Sequence, residues 1–188
     1  LPKLIVCLTG MPGAGKSTIA SGLGARGFTL VSMGDEVREE AKRRCMEPTS
    51  KNLGTLMIEL RQRGGPDAVA ALIAPKIKSA KSNTVIIDGV RSNEEINLLR
   101  GLGNLKVLLI HASSDTRFKF ITRRGRSDDP KDHNIFQERD EREIRIGIST
   151  PIALADESIS NNNRTKEELI DAASAIIQIW IKENEATA

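Results

Sequence analysis

Gly10-Met11-Pro12-Gly13-Ala14-Gly15-Lys16-Ser17 fits G-x-x-x-x-G-K-[ST], a spacing suited to capturing an anion. Glycines let successive backbone N–H groups converge on phosphate oxygens, and a helix N-terminus adds partial positive charge. Lys16 would reach the β- and γ-phosphates of a nucleoside triphosphate, and the Ser17 hydroxyl would ligate magnesium. Gly10, Pro12, Gly13, Ala14, Gly15 and Thr18 complete the expected cradle. Thr84-Val85-Ile86-Ile87-Asp88 ends an apolar run in a carboxylate, the pattern of a second acidic group beside that ion. Asp88 also reads as a turn or cap carboxylate; the glycine loop favours the metal role.

These residues need a strand before the loop and a helix after it. Leu4-Ile5-Val6-Cys7-Leu8 is short enough for a buried strand, and Ile19, Ala20 and Leu23 follow at helical spacing. Further strands are expected over 28–32, 84–88, 105–110 and 157–160. Helices are expected over 35–44, around Leu53 to Leu60, from Pro66 with a kink at Pro75, over 114–124 and over 134–146. Ser92 with Glu95, and Thr165 with Glu168, read as capping boxes for two more. Strands alternating with helices indicate an α/β domain with a parallel sheet. Ligands of such sheets sit at the carboxyl ends of the strands, so the glycine loop, 32–35 and 88–91 should face one crevice.

The 188 residues suffice for one well-cored domain. A net charge of +3 is too mild to imply a polyanion partner. Aromatics are 3% with no tyrosine, which argues against stacking platforms for single-stranded nucleic acid. Cys7 and Cys45 form no metal spacing and read as reduced thiols, and His111 and His133 have no metal spacing either. No apolar run approaches a membrane span, and the start has no signal-peptide layout. A cytoplasmic location is the expectation.

Arginines cluster late in the chain: Arg117, Arg123, Arg124 and Arg126, then Arg139, Arg142 and Arg145. Phosphoryl transfer needs positive charge around an in-line transition state, and a lid supplies it while excluding water. Arg123, Arg124 and Arg126, at a helix-to-loop junction, are the first lid candidates. Arg139 and Arg142 share a helix face at i, i+3. The interleaved Glu138, Asp140, Glu141 and Glu143 fit a salt-bridged solvated helix equally well. No four-cysteine pattern is present, so no structural zinc is expected. Asn161 to Asn163 either line an adenine through backbone groups or make a plain turn.

The sequence resembles a known group. Ser32-Met33-Gly34-Asp35-Glu36-Val37-Arg38 is similar to the S-T-G-D-x-x-R segment of adenylate kinases. Gly65-Pro66-Asp67-Ala68-Val69 is similar to their V-P-D-x-x-V helix start, and Asp88-Gly89-Val90-Arg91 to their D-G-F-P-R. Asp156-Glu157-Ser158-Ile159, with Asn161 and Thr165-Lys166-Glu167-Glu168-Leu169, resembles the tail of dephospho-coenzyme A kinases and other nucleotide kinases. The likeness covers nearly the whole chain and is nearest to archaeal adenylate-kinase-related proteins of uncertain substrate. It implies a three-layer α/β/α P-loop NTPase fold, with a five-stranded parallel sheet in the order 2-3-1-4-5. It implies one kinase domain over 1–188. The core would be 1–32, 84–122 and 147–188, with an acceptor-binding helical insertion over about 33–83 and a lid over about 123–146.

The resemblance also assigns roles. ATP and Mg2+ are the implied cofactors. Gly34, Asp35, Arg38 and Arg91 would surround the acceptor, the two guanidinium groups clamping its phosphate. Lys16, Arg123, Arg126 and Asp35 form the expected catalytic set. Two positions depart from the family: Met33 stands where it has threonine, and D-G-V-R is one residue shorter than D-G-F-P-R.

The implied reaction is ATP-dependent transfer to a nucleoside monophosphate such as AMP. The alternatives are transfer to a hydroxyl, as in dephospho-coenzyme A, with Asp35 as general base, or a non-catalytic AMP/ATP sensor. D-x-x-G and N-K-x-D are absent, which argues against a GTPase, and no nucleic-acid reader motif appears. The expected partners are small nucleotides, with no nucleic acid and no membrane, for a monomer or homodimer.

Overall fold

Six residues build β1 (Leu4–Thr9), and all of them are buried. Successive side chains point to opposite faces of a strand, so a run buried throughout needs cover on both sides. In the computed structural model, which describes residues 2–126 and 129–187, the cover is two separate cores. Ile5 and Cys7 enter one core and Leu4, Val6 and Leu8 the other.

Four strands join β1 in one parallel sheet: β2 (Thr29–Ser32), β3 (Thr84–Asp88), β4 (Asn104–His111) and β5 (Glu157–Ser160). Their order is β2-β3-β1-β4-β5, the order the resemblance implies. Ser32 and Leu8 both register with Asp88, which brings the carboxyl ends of β2, β3 and β1 level.

Helices α1 (Lys16–Ala25) and α9 (Lys166–Ala186) cover one face through Ile19, Leu23, Leu169, Ala173, Ile177 and Trp180. The other face is covered by α2 (Met33–Arg43), α3 (Ser50–Gly64), α4 (Ala68–Ser79) and α5 (Asn93–Arg100). After β4 come α6 (Ser114–Arg124), α7 (His133–Ile146) and the short α8 (Ser149–Ala153). Side-chain oxygens of Ser32, Thr49, Ser92, Ser113, Asp132 and Thr165 cap α2, α3, α5, α6, α7 and α9. No helix of the described residues is long and apolar enough to cross a membrane.

Some expectations change. α4 opens at Ala68, because Pro66 and Asp67 belong to a turn closed by Ala68 N–H on the Gly65 carbonyl, and it runs on past Pro75. α8 was not expected, since five residues show no periodicity. The box at Ser92 is half formed. Ser92 Oγ accepts from Glu95 N–H at 3.2 Å, but the buried Glu95 carboxylate takes Arg91 N–H at 2.7 Å and pairs with Arg61. The capping box at Thr165 and Glu168 is complete. Ser127 and Asp128, within the lid expected over about 123–146, lie outside the described residues.

Ile86 and Ile87 are adjacent, fully buried, and assigned to different cores. Ile86→Val and Ile87→Val should each lower stability by about 0.5–1.5 kcal/mol. In urea unfolding the double variant should equal the sum to within about 0.5 kcal/mol, because the two side chains lie in different cores on opposite faces of the sheet. A larger coupling would mean that the two faces do not pack independently.

Candidate active site

Close packing sets the shape of the glycine loop. Gly10 has φ 134°, and a Cβ there would stand 2.1 Å from the Ile110 carbonyl oxygen of β4. Gly15 has φ 112°, and a Cβ there would stand 2.5 Å from the Asn161 side-chain amide. No L side chain satisfies both the φ and the space, so the backbone passes where only glycine fits. Ala14 is buried and its carbonyl accepts from Asn161 Nδ2 at 2.9 Å, while Asn161 N–H donates to His111 O at 2.7 Å. Asn161 therefore braces the loop from the end of β5, with its backbone donor already engaged.

The loop delivers the chain into α1. Gly15 makes no side-chain cap, and the first turn holds no acidic residue. That leaves the positive end of the helix to an anion. Thr18 N–H turns inward to Gly15 O at 3.0 Å. Lys16 Nζ folds over the loop, donating to Gly10 O at 2.5 Å and Met11 O at 3.1 Å. Burial pushes the ammonium down to about 8; Asp88 opposes the shift, and Arg91 adds to it.

Ser17 Oγ donates to Asp88 Oδ2 at 3.1 Å, so α1 and β3 bring a hydroxyl and a carboxylate together. These are hard oxygen donors and fit a magnesium ion that takes its other ligands from phosphate and water. Among the described residues no group of three or more His, Cys, Asp or Glu could hold a metal, so no all-protein cage is present.

Beside this pair, Gly34, Val37 and Arg38 of α2, Ser50 and Gly54 of α3, Arg91, and Arg139, Arg142 and Glu143 of α7 line a cavity of about 40 Å³. That is room for about three waters, the scale of one phosphate group. Beyond Arg38 the surface opens into a groove of about 400 Å³ along Lys42, Met46 and Pro48. Arg91 donates from Nε to Glu143 Oε2 at 2.7 Å and from Nη1 to Gly89 O at 2.9 Å. Burial disfavours its charge, but Glu143, Glu95 and Asp88 outweigh burial and raise its pKa. Glu143 is 1% exposed. Burial opposes its charge too, and Arg91, Arg139, Lys16 and Arg142 together hold it below the usual carboxylate range. Arg142 donates to Ser50 Oγ at 3.3 Å and lies flat on α3, where a Cβ at Gly54 would stand 2.7 Å from its Nη1.

Sequence reasoning missed the role of Arg117 in joining α6 to the glycine loop. It is 6% exposed and donates to Pro12 O at 3.0 Å, pairs with both Asp140 oxygens at 2.9 and 2.6 Å, and packs on Phe136. The signal available was its i, i+4 spacing from Ile121, which puts an arginine on the apolar stripe of α6. Arg139 and Arg142 sit on one face as their spacing implies, whereas Arg145 is exposed.

Three expected residues are placed differently. Arg123 and Arg126 are exposed and do not line the cavity. α6 turns Arg117 and Ile121 inward, so Arg123 lies two residues, about 200°, around the helix. Arg126 lies past the left-handed cap at Gly125. Asp35 does not line the cavity either: its side chain is 68% exposed and accepts from Arg38 Nη1 at 3.0 Å. Gly34 and Arg38 share a helix face at i, i+4, and Asp35 is rotated about 100° from it.

Residues 9–135 match the family model described as AAA domain. A UPF0200 protein of Pyrococcus abyssi is 44% identical over 165 residues, covering 85% of this chain and 88% of that protein. Among solved structures, a gluconokinase from Sinorhizobium meliloti superposes with TM-score 0.63 at 15% identity, covering 100% of this chain and 98% of that one. A shikimate kinase from Bacteroides thetaiotaomicron gives TM-score 0.63 at 14% identity, covering 93% and 98%. Together with the sheet order and the glycine loop, these likenesses show a P-loop kinase fold, and the chain belongs to the UPF0200 family of archaeal proteins.

Proposed function

We propose that this protein transfers the γ-phosphoryl group of ATP to a small phosphate-bearing acceptor, in the first place a nucleoside monophosphate such as AMP. One observation carries the reading. Arg38 and Arg91, from the carboxyl ends of β2 and β3, line a single phosphate-sized cavity close enough to Lys16 for Arg91 to act on its charge. In this reading the glycine loop and Lys16 hold the triphosphate, and the arginines hold the acceptor phosphate in line with it. The groove beyond Arg38 has room for the acceptor's organic body. Fixed positive charge around the transferring group supplies the catalysis. Magnesium, held by Ser17 and Asp88, would neutralise charge on the β- and γ-oxygens.

The names shikimate kinase and gluconokinase on structural neighbours favour a second reading, transfer to a hydroxyl. That reaction needs a base. Asp35, exposed and paired with Arg38, gives it less support. The test is incubation with ATP and magnesium against AMP, other nucleoside monophosphates and dephospho-coenzyme A. ADP formation dependent on a monophosphate is expected, falling roughly 10³-fold in Lys16→Ala. Arg91→Ala should raise the acceptor KM roughly 10–100-fold. Turnover with dephospho-coenzyme A alone would select the hydroxyl reading. Tight binding of ATP and AMP with no turnover would leave a sensor.

The Lys16 ammonium, lowered to about 8, makes binding pH-dependent. A triphosphate binds the protonated form, so binding takes up a proton as the pH passes 8. Calorimetric Kd values for ATP with magnesium should be level below about pH 7 and weaken about tenfold by about pH 9. Lys16→Met should bind weakly and lose the slope. A slope that persists in that variant would assign the titration to another group.

A further inference from the structure

Among the residues that line the proposed acceptor cavity, one buried carboxylate has no task in the reaction. Glu143, on α7, is a carboxylate inside a cavity that otherwise offers arginines to an anion. Removing a carboxylate from water is costly, and a glutamine would satisfy the same hydrogen bond without the charge. The surroundings show what the charge touches. Glu143 Oε2 accepts from Arg91 Nε at 2.7 Å, and Arg91 Nη1 is engaged by Gly89 O at 2.9 Å. The guanidinium is thereby held by two of its nitrogens, and neither bond uses Nη2. Arg38 has Asp35 as its partner at 3.0 Å and Arg139 has Asp129 at 3.6 Å, both carboxylates outside the cavity lining. Glu143 is the carboxylate among the lining residues. Its charge also interacts with that of Lys16, which links the acceptor cavity electrostatically to the glycine loop.

A fixed negative charge repels ligands in proportion to their charge, and in a partly buried site the repulsion is weakly screened. The acceptor site of such an enzyme must hold one phosphate group and reject the longer polyphosphate tail that belongs on the glycine loop. We propose that Glu143 is a positioning and specificity-determining residue: it aims Arg91 at the acceptor, and its charge reduces the preference of the arginine-lined cavity for highly charged anions. This rests on the acceptor site proposed above and adds what selects its ligand. Each further negative charge on a ligand adds to the attraction by the arginines and to the repulsion by Glu143 alike, so the carboxylate narrows the gain that a longer polyphosphate takes from the cavity.

The two contributions separate by substitution. Glu143→Gln keeps an acceptor for Arg91 Nε and removes the charge; Glu143→Ala removes both; Glu143→Asp keeps the charge. The full-length protein, its glycine loop saturated with a non-hydrolysable ATP analogue and magnesium, is titrated with inorganic phosphate and with pyrophosphate. In Glu143→Gln the affinity for pyrophosphate should rise about tenfold and that for phosphate only a few-fold, so that the selectivity ratio moves. Glu143→Asp should keep the wild-type ratio, and Glu143→Ala should weaken phosphate by releasing Arg91. Melting temperatures of all four proteins distinguish this from a structural role, which would shift both anions equally with loss of stability. An unchanged ratio in a folded Glu143→Gln overturns the proposal and leaves the kinase reading standing. If neither anion binds any of the four proteins, the acceptor cavity itself is refuted, and this assignment with it.

Discussion

A parallel sheet buried on both faces is the constraint from which the rest of this molecule follows. Parallel neighbours cannot be joined by tight turns, so each connection is a crossover carrying at least one helix. The helices then supply the cover that the apolar strands require. The same geometry gathers the carboxyl ends of β1, β2 and β3 on one edge, where Leu8 and Ser32 both register with Asp88. Everything with chemical potential, from the glycine loop to Arg91, leaves the sheet at that edge.

The edge is held by close contacts and paired charges. Gly10 passes against the Ile110 carbonyl, and Asn161 and Arg117 bond the Ala14 and Pro12 carbonyls from β5 and α6. The loop is therefore shaped by three elements distant in sequence before any phosphate meets it, which is preorganisation in its physical sense. Arg61, Glu95, Arg91 and Glu143 extend a chain of buried charges from α3 through α5 to α7. Such a chain is weak evidence for stability, since desolvation offsets most of the Coulomb gain. It does fix where each guanidinium points.

Local signals were read best where local physics decides. The loop, the five strands and the capping box at Thr165 lie close to where spacing and residue type put them, because backbone sterics and short-range hydrogen bonds govern them. The Ser92 box failed at its second half, where Glu95 found Arg61 and the Arg91 N–H, partners that no local pattern contains. Chain position points to Arg123 and Arg126 and the resemblance to Asp35; helix rotation turns Arg123 and Asp35 away from the cavity, and Arg126 lies past the cap that ends α6. Arg117 and Glu143 looked like members of a charged, solvated stretch and are buried.

The sequence by itself determined the anion-binding loop, the alternation of strands and helices, and the carboxylate at the end of β3. These depend on residue type at short spacing: glycine where no Cβ fits, apolar runs where both faces are covered, oxygens where a helix begins. Only the tertiary structure decided which arginines share the cavity with Arg38 and Arg91, and that Glu143 lies among them. The physical reason is that charge on a helix has no partner until packing sets the helix's rotation and neighbours. The interleaved acids and bases of α7 suit water and a buried site equally until α3 and the Arg91 loop close against them.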